Sequence, residues 1–225
     1  MASPTAFVAQ PLPPWRRAVL KVGSSLLAAA GGGLSTRHAL GLAEFIAASH
    51  RAGREVVLVS SGAVAAGRAA VRGIGAQAPL AAKQALAAIG QTQMVALWQR
   101  FFDRPVAQVL LTHDDLRHRR RYLNARATLR ELLQLGALPV VNENDTVAVD
   151  ELKLGDNDNL AAIVAALVDA DLLLIASDID GLCTANPRTD PTAQPVARVE
   201  AITPAVYAMA GGAGSSVGTG GMQTK

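Results

Sequence analysis

The sequence predicts an α/β fold, a three-layer αβα sandwich with helices on both faces of a mainly parallel central sheet. Two observations lead to this fold class. Half of the 225 residues are hydrophobic but only 4% are aromatic, so Ala, Leu and Val dominate the apolar content, which disfavours a β-sandwich. Short apolar runs, typical of strands buried on both faces, occur between stretches of helical periodicity.

Five apolar runs are the predicted strands of this sheet. None shows the regular apolar-polar alternation of a half-exposed strand, because a strand covered by helices on both sides has no solvated face. The runs are Ala18–Val22, Val56–Val59, Val106–Leu111, Leu138–Val141 and Leu172–Ala176.

Helical patterns lie between the predicted strands. The Ala-rich stretch Leu80–Phe102 predicts a long helix. Another helix is predicted to end before Gly136, which stands where a C-terminal cap belongs. Two segments show neither the buried-strand nor the helical pattern. Apolar and polar residues alternate in Thr146–Leu154, which predicts a hairpin outside the sheet. The Gly-rich segment Gly211–Gly221 predicts a mobile loop. A further helix is predicted from apolar residues at i, i+3, i+4 and i+7 spacing, namely Leu160, Ile163, Val164, Leu167 and Val168.

The net charge is +3, a mild excess that suits anionic substrates. The basic residues form one dense cluster, Arg117–Arg121, without interleaved aromatics, so no nucleic-acid partner is expected. A solvated helix end and a phosphate or partner contact are both compatible with this cluster.

Several features bear on location and domain organisation. Cys183 is the single cysteine, which excludes an intramolecular disulfide and suits a cytoplasmic protein. No apolar run approaches the roughly 20 residues that span a membrane. Residues 1–16 are Pro-rich and lack the pattern of a signal peptide, so they are interpreted as a loose tail before one domain at 17–225.

Polar or Gly-containing turns follow the predicted strands, and ligands in open α/β sheets bind at the carboxyl ends of strands. Lys21 offers a cation at the end of the first strand, and Gly23 lets a phosphate approach the backbone. Ser61 and Gly62 follow the second strand and open a helix, whose first N–H groups suit an anion. A surface lysine and an ordinary serine-capped turn are the alternative interpretations.

Two clusters of Asn and Asp are the most informative feature. Asn142–Asp145 follows the fourth predicted strand, and Gly155–Asn159 opens the next helix. Helix capping explains one residue of the second cluster but not four polar residues in a row. The spacing of an EF-hand calcium loop is absent. Amide and carboxylate groups together suit the ammonium and carboxylate groups of an amino acid.

Two further motifs complete the set of candidate site residues. Ser177 and Asp178 form a polar turn after the fifth predicted strand, at the same rim of the sheet. The run Gly218–Lys225 is Gly-rich and ends in a lysine that could close over phosphates, with a flexible tail as the alternative.

In this order, the motifs resemble those of the glutamate 5-kinase family, within the amino acid kinase superfamily. The resemblance extends from about Val19 to Lys225. Single motifs are shared with aspartate, acetylglutamate and uridylate kinases, whereas Asn-Glu-Asn-Asp together with Gly-Asp-Asn-Asp-Asn is much more specific. The motifs are Lys-x-Gly-Ser-Ser at 21–25, Ser-Ser-Gly-Ala-x-Ala-Ala-Gly at 60–67, Asn-Glu-Asn-Asp at 142–145, Gly-Asp-Asn-Asp-Asn-Leu at 155–160, Ser-Asp-x-x-Gly-Leu at 177–182 and Gly-Thr-Gly-Gly-Met-x-Thr-Lys at 218–225.

The resemblance implies roles for individual residues, and it assigns no side chain as a metal ligand. The catalytic residues would be Lys21, Asp158 and Lys225: the two lysines would neutralise charge on the transferring phosphoryl group, and Asp158 would hold the lysines in position. Those that would bind glutamate are Ser61, Asp145 and Asn157. Those that would contact the nucleotide are Lys21, Gly23, Gly62, Ser177, Asp178, Thr219, Gly220, Gly221, Met222, Gln223, Thr224 and Lys225.

The resemblance also implies an amino acid kinase-like fold and a reaction. ATP, with Mg²⁺, would phosphorylate the side-chain carboxylate of L-glutamate to glutamyl 5-phosphate, the first step of proline biosynthesis. Feedback inhibition by proline and a homo-oligomer are implied as well. The alternatives are a kinase of acetylglutamate, aspartate or uridylate, and a non-catalytic amino-acid-binding regulatory module. Binding alone does not need two phosphate-facing lysines, which argues against the module.

The family's kinase domain continues beyond the lysine that matches Lys225, and many members carry an additional PUA domain. By this comparison, residues 17–225 would be a C-terminally incomplete kinase domain without a PUA domain. Weak or absent activity is expected of such a chain on its own.

Overall fold

The structure is a computed structural model that describes residues 7, 10–29, 33–71, 74–75, 78–148, 157–187, 189–211, 221–222 and 225. Its strands are β1 Arg17–Val22, β2 Glu55–Ser60, β3 Val106–Leu111, β4 Leu138–Glu143 and β5 Leu172–Ala176. They form one sheet with the order β3-β4-β2-β1-β5, in which every neighbouring pair is parallel. The predicted fold class is confirmed, and β3 and β5 have the predicted bounds.

Helices connect these strands. None of those in the described part of the chain is both long and apolar enough to cross a membrane. The described helices are α1 Ser24–Leu27, α2 Ala39–Arg51, α3 Ala63–Ala70, α4 Leu80–Gln99, α5 His113–Arg117, α6 Arg119–Gln134, α7 Asp158–Leu167 and α8 Pro204–Met209.

Different helices cover the two faces of the sheet. Ala18, Leu20 and Val22 of β1 pack in one buried cluster with residues of α2 and α4. Val19 packs in a second cluster with residues of α6 and α7. Because successive side chains of a strand point to opposite faces, the apolar residues of β1 meet a helix layer on each face of the sheet. This explains why the strands have continuous apolar sequences.

Helices α3 and α4 lie close together because each has a glycine at the contact. A Cβ atom at Gly67 would lie 1.9 Å from the carbonyl oxygen of Leu86, and one at Gly90 would lie 1.8 Å from that of Ala63. Neither position has room for a side chain. The contact therefore fixes the start of α3, which follows β2, against the middle of α4.

Local chemistry determines where two helices end. Gly136 follows α6 with a φ of 72°, and its N–H donates to the carbonyl of Leu133, so the predicted cap is confirmed. Helix α4 ends at Gln99, before the predicted end at Phe102. The Gln99 side chain donates to the carbonyl oxygen of Phe102 and accepts the N–H of Val106, which holds the chain in a turn.

Trp15 belongs to the packed part of the chain, although it lies in the segment interpreted as a tail. Only 8% of its surface is exposed, its ring lies 6.1 Å from that of Phe45, and the guanidinium of Arg54 lies 4.8 Å from its centre. Packing therefore begins before residue 17. The predicted loop Gly211–Gly221 and the predicted hairpin Thr146–Leu154 lie largely outside the described residues.

The basic cluster Arg117–Arg121 lies at the junction of α5 and α6 and is exposed to solvent. One member of the cluster, Arg121, pairs through its guanidinium with the carboxylate of Asp115 on α5, at 3.0 Å. Asp115 and Thr112 also form a reciprocal capping box that starts α5.

Replacement of Gly90 by alanine should disrupt the contact between α3 and α4. The added methyl group would overlap the Ala63 carbonyl, so we expect Gly90→Ala to lower the free energy of unfolding by about 1–3 kcal/mol or more. Gly41→Ala is the matched control, because Gly41 lies in α2 with open space around it. This variant should have a free energy of unfolding about 0.5–1 kcal/mol higher than that of the wild type. Urea unfolding of both variants measures the difference. Similar free energies of unfolding for the two variants would contradict the close contact between α3 and α4.

Candidate active site

The carboxyl ends of neighbouring parallel strands form one rim of the sheet. The N–H of Ser61, after β2, donates to the carbonyl of Val22 at the end of β1, at 3.1 Å. The N–H of Gly23, after β1, donates to the carbonyl of Ala176 at the end of β5, at 3.2 Å. These two hydrogen bonds hold the turns after β1, β2 and β5 together at the edge where open α/β sheets bind ligands.

Two lysines meet one buried carboxylate at this rim. The Lys21 Nζ atom lies 2.6 Å from Asp158 Oδ1, and the Lys225 Nζ atom lies 3.0 Å from Asp158 Oδ2. The side chain of Asp158 is fully buried, and those of Lys21 and Lys225 are 8% and 17% exposed. The structure thus brings Asp158 together with the two lysines that the sequence predicted it to hold.

The geometry of β1 explains why Lys21 reaches Asp158. Val19 faces the layer that contains α7. Lys21 is two residues further along the strand and therefore faces the same layer. Asp158 is the first residue of α7, so the lysine at the strand end meets the carboxylate at the helix start.

Opposing effects act on the pKa of Asp158. Burial raises this pKa, whereas the hydrogen bonds and positive charges of Lys21 and Lys225 lower it. The lysines prevail, so the pKa lies below its ordinary value and the carboxylate is ionised at neutral pH. Two ammonium groups and one carboxylate carry a combined charge of +1, which favours a bound anion.

A chain of side-chain amides lies beside these charged groups. Asn157 Nδ2 donates to Ser61 Oγ at 2.8 Å and to Asn142 Oδ1 at 2.7 Å. Asn142 Nδ2 in turn donates to Gln91 Oε1 on α4, at 2.9 Å. Asn142, Asn157 and Gln91 are each at most 6% exposed. The network joins the turn after β2, the end of β4, the start of α7 and the middle of α4.

Asn157 stands at the N-cap of α7 but does not use its side chain as a cap. An Asn at this position ordinarily accepts a backbone N–H of the first turn. Here the carboxamide instead donates to Ser61 and Asn142. Helix capping was expected of one residue in the cluster 155–159, and the side chain of Asn157 does not act in that way.

Gly62 shapes the turn that precedes α3. Its φ of 110° is a left-handed conformation that strains residues with side chains. Gly62 is also the N-cap of α3, so the first N–H groups of this helix face the rim beside Ser61. The predicted opening of a helix at this turn is confirmed.

The other predicted site residues are less completely connected. Asp145 lies two residues after β4, is half-buried, and has no hydrogen bond to the amide chain within the described residues; burial raises its pKa to about 6. Ser177 Oγ lies 3.3 Å from Asp178 Oδ1 after β5. The N–H of Lys225 donates to the carbonyl of Met222 at 3.2 Å. Gly221 is half-buried. The predicted residues outside the described part of the chain are Thr219, Gly220, Gln223 and Thr224.

Two members of the amide chain, Asn142 and Gln91, were missed as site residues. Asn142 belongs to a motif that the sequence singled out, yet no role was assigned to it. Gln91 lies at helical spacing with Ala87, Met94 and Trp98, which line the buried face of α4. A polar residue in such an apolar stripe is the signal that could have identified it.

A comparison with protein families agrees with this architecture. The profile described as "Amino acid kinase family" matches residues 16–225. The chain belongs to the amino acid kinase family.

Curated relatives in this family are highly similar. Over 223 residues the chain is 72% identical to "Glutamate 5-kinase" of Xylella fastidiosa strain 9a5c, an alignment that covers 99% of the chain and 58% of the relative. Over 208 residues it is 74% identical to "Glutamate 5-kinase" of Xanthomonas oryzae pv. oryzae strain KACC10331, covering 92% of the chain and 58% of the relative. The chain thus spans somewhat more than half the length of these relatives.

Removal of the Asp158 charge should destabilise the fold. Asp158→Asn leaves Lys21 and Lys225 close together without the carboxylate, and we expect a loss of about 3 kcal/mol in the free energy of unfolding. The matched control is Asp169→Asn, which breaks exposed pairs with Arg126 and Arg130 and should have a much smaller effect. Denaturant unfolding at pH 7 compares them. A larger effect at Asp169 would contradict the importance of the buried charge.

Proposed function

We propose that this protein is an ATP-dependent kinase that phosphorylates the side-chain carboxylate of L-glutamate to glutamyl 5-phosphate, in the first step of proline biosynthesis. The observation that carries the proposal is the contact of Lys21 and Lys225 with the buried carboxylate of Asp158, beside the amide chain of Asn157. Curated relatives with more than 70% identity are named glutamate 5-kinase, which supports this substrate.

Phosphoryl transfer depends mainly on positioning and electrostatic stabilisation. Lys21 and Lys225 would stabilise the negative charge of the transferring phosphoryl group, and Asp158 would hold both ammonium groups in place. The glutamate carboxylate is itself the nucleophile, so no covalent intermediate with the protein is required. The N–H of Gly23 already donates to Ala176, so the N–H groups that follow Gly23 and the N–H of Gly62 would bind phosphate oxygens.

Ser61, Asp145 and Asn157 would bind the amino acid. A carboxylate and an amide oxygen suit an ammonium group, and a hydroxyl group suits a carboxylate. An acetylated amino group carries no positive charge, so the Asp145 carboxylate favours glutamate over acetylglutamate. Aspartate or uridylate as acceptor and a purely regulatory amino-acid-binding role are the competing functions.

Ser177, Asp178 and the segment 219–225 would contact the nucleotide. Mg²⁺ would enter with ATP and neutralise part of the phosphate charge. Among the described residues no group of three His, Cys, Asp or Glu side chains is arranged to hold a metal by itself. A cytoplasmic homo-oligomer inhibited by proline completes the proposal, by resemblance to the family.

A panel of acceptors tests the proposed function. The chain is incubated with ATP, Mg²⁺ and glutamate, acetylglutamate, aspartate or uridylate, with the Xylella fastidiosa relative as positive control. Acyl phosphates are trapped with hydroxylamine, and ADP release is measured in parallel. Calorimetry measures the binding of glutamate and of ATP. Selective turnover or binding of glutamate supports the proposal. Preference for another acceptor overturns it, and glutamate binding without ATP binding favours the regulatory module.

Lys21→Met should separate catalysis from binding. This variant keeps the aliphatic stem but removes the ammonium group, so kcat should fall about 10²–10³-fold with a much smaller change in the KM for glutamate. Lys83→Met is the control, because Lys83 lies on α4 before its contact with α3 and makes no ion pair among the described residues. Near-normal turnover of Lys21→Met would remove Lys21 from the mechanism.

Asp145 should make glutamate binding dependent on pH. Its carboxylate becomes protonated below pH 6, so the affinity for glutamate should fall by about tenfold per pH unit below that value. Asp145→Asn should bind glutamate about 10–100-fold more weakly at pH 7.5 and lose this pH dependence, with ATP affinity retained. Calorimetric titrations between pH 5 and 8 measure both effects.

The stability of the same variant distinguishes a binding role from general damage. The folded pKa of Asp145 is raised from 3.8 to about 6, so ionisation above pH 6 opposes folding. Asp145→Asn should therefore increase the free energy of unfolding at pH 7.5, by at most about 3 kcal/mol. Equal losses of glutamate affinity, ATP affinity and stability would contradict the assigned role.

A further inference from the structure

Gln91 is a buried amide on the apolar face of α4, far along the chain from the motifs at the strand ends. It is 6% exposed and lies between Ala87 and Met94 on the buried side of the helix. Burial of an amide costs free energy unless the group is hydrogen-bonded. Its Oε1 atom accepts from Asn142, whereas its Nε2 atom is buried without a partner among the described residues. Its oxygen is therefore the atom that acts on the network.

The amide chain has a direction. Asn157 donates to Asn142, and Asn142 donates to Gln91, so each NH₂ group points to the next oxygen toward α4. The chain could run the opposite way if all three amides rotated, because an amide presents a donor on one side and an acceptor on the other. The direction decides whether Asn157 presents its oxygen or its NH₂ group at the other end.

In the observed direction, both hydrogens of Asn157 Nδ2 are used, one by Ser61 and one by Asn142. Asn157 Oδ1 is buried and has no hydrogen-bond partner among the described residues. Ser61 Oγ accepts from Asn157 and so keeps its own hydrogen for donation. The pair offers an acceptor and a donor, which match the ammonium and carboxylate groups of a free amino acid.

We propose that Gln91 is a positioning residue for the amino acid substrate. By accepting the hydrogen bond from Asn142, it holds the amide chain in the observed direction, in which Asn157 presents its oxygen to the substrate ammonium group. This inference rests on the proposed phosphorylation of glutamate. In this role Gln91 does not contact the substrate itself. It contributes to the preference for a free amino group over an acylated one.

Two substitutions at position 91 test the direction. Gln91→Met has a similar volume but no strong acceptor, so the glutamate KM and dissociation constant should rise about 10–100-fold. Affinity for ATP should change less than about threefold, and preference for glutamate over acetylglutamate should decrease. Gln91→Glu, assayed at pH 8, offers only acceptor atoms when ionised and enforces the observed direction. It should retain glutamate affinity within about threefold.

Two further comparisons exclude a merely structural role. Met94→Leu changes the buried face of α4 nearby without affecting the amide chain, and it should leave glutamate affinity unchanged. In an Asn142→Leu background, Gln91→Met should have little additional effect, because Gln91 acts through Asn142. Thermal unfolding shows which variants are folded. If Gln91→Met does not fold, Gln91→Glu still decides, because its loss of glutamate affinity would mean that the chain runs the other way.

The wild-type result separates this proposal from the function on which it rests. If the wild-type chain binds or phosphorylates glutamate and Gln91→Met retains its KM and dissociation constant within twofold, the positioning role is overturned and the function stands. If the wild-type chain binds or phosphorylates another acceptor in preference to glutamate, the proposed function fails first and the role of Gln91 fails with it.

Discussion

The fully buried carboxylate of Asp158 constrains much of this structure. An ionised carboxylate loses several kcal/mol of hydration free energy when it is buried without compensation, on the order of the whole stability of a domain. Lys21 and Lys225, which are far apart in the sequence, provide that compensation. The strand that carries Lys21, the helix that begins at Asp158 and the segment that ends at Lys225 must therefore meet in one place. Their excess positive charge makes the same arrangement suitable for phosphates.

The amide chain adds a second constraint of a different kind. Its members carry no charge, so their burial depends on hydrogen-bond partners and not on counter-ions. Ser61, Asn142 and Asn157 come from three different strand or helix ends, and Gln91 comes from the helix that packs on α3 through Gly67 and Gly90. The tight glycine contact and the polar network thus support each other. Displacement of α4 would disturb both the turn at Ser61 and the orientation of Asn142.

Most of the fold could be predicted because burial on both faces leaves a direct mark on the strand sequences. The pairing of Lys21 with Asp158 followed from the resemblance of their motifs, and the structure places them in contact. The role of Gln91 could not be predicted, since helical periodicity identifies the buried face but not the partner that a buried amide meets. The early end of α4 depends on hydrogen bonds of Gln99 to residues beyond the helix, which no local propensity encodes. The burial of Trp15 likewise depends on a contact with α2.

The strand order has a consequence for how the protein is made. Strand β1 lies between β2, which follows soon after it, and β5, whose residue Leu172 pairs with Ala18. During synthesis the β5 side of β1 therefore waits for a partner until roughly 150 more residues have emerged. At about 5–20 residues per second this wait lasts on the order of 10 s. Throughout that time an apolar strand has an open edge that can pair with other nascent chains. Co-translational protection, by the ribosome surface or a chaperone, would therefore matter more for the first strand than for any later one in this sheet.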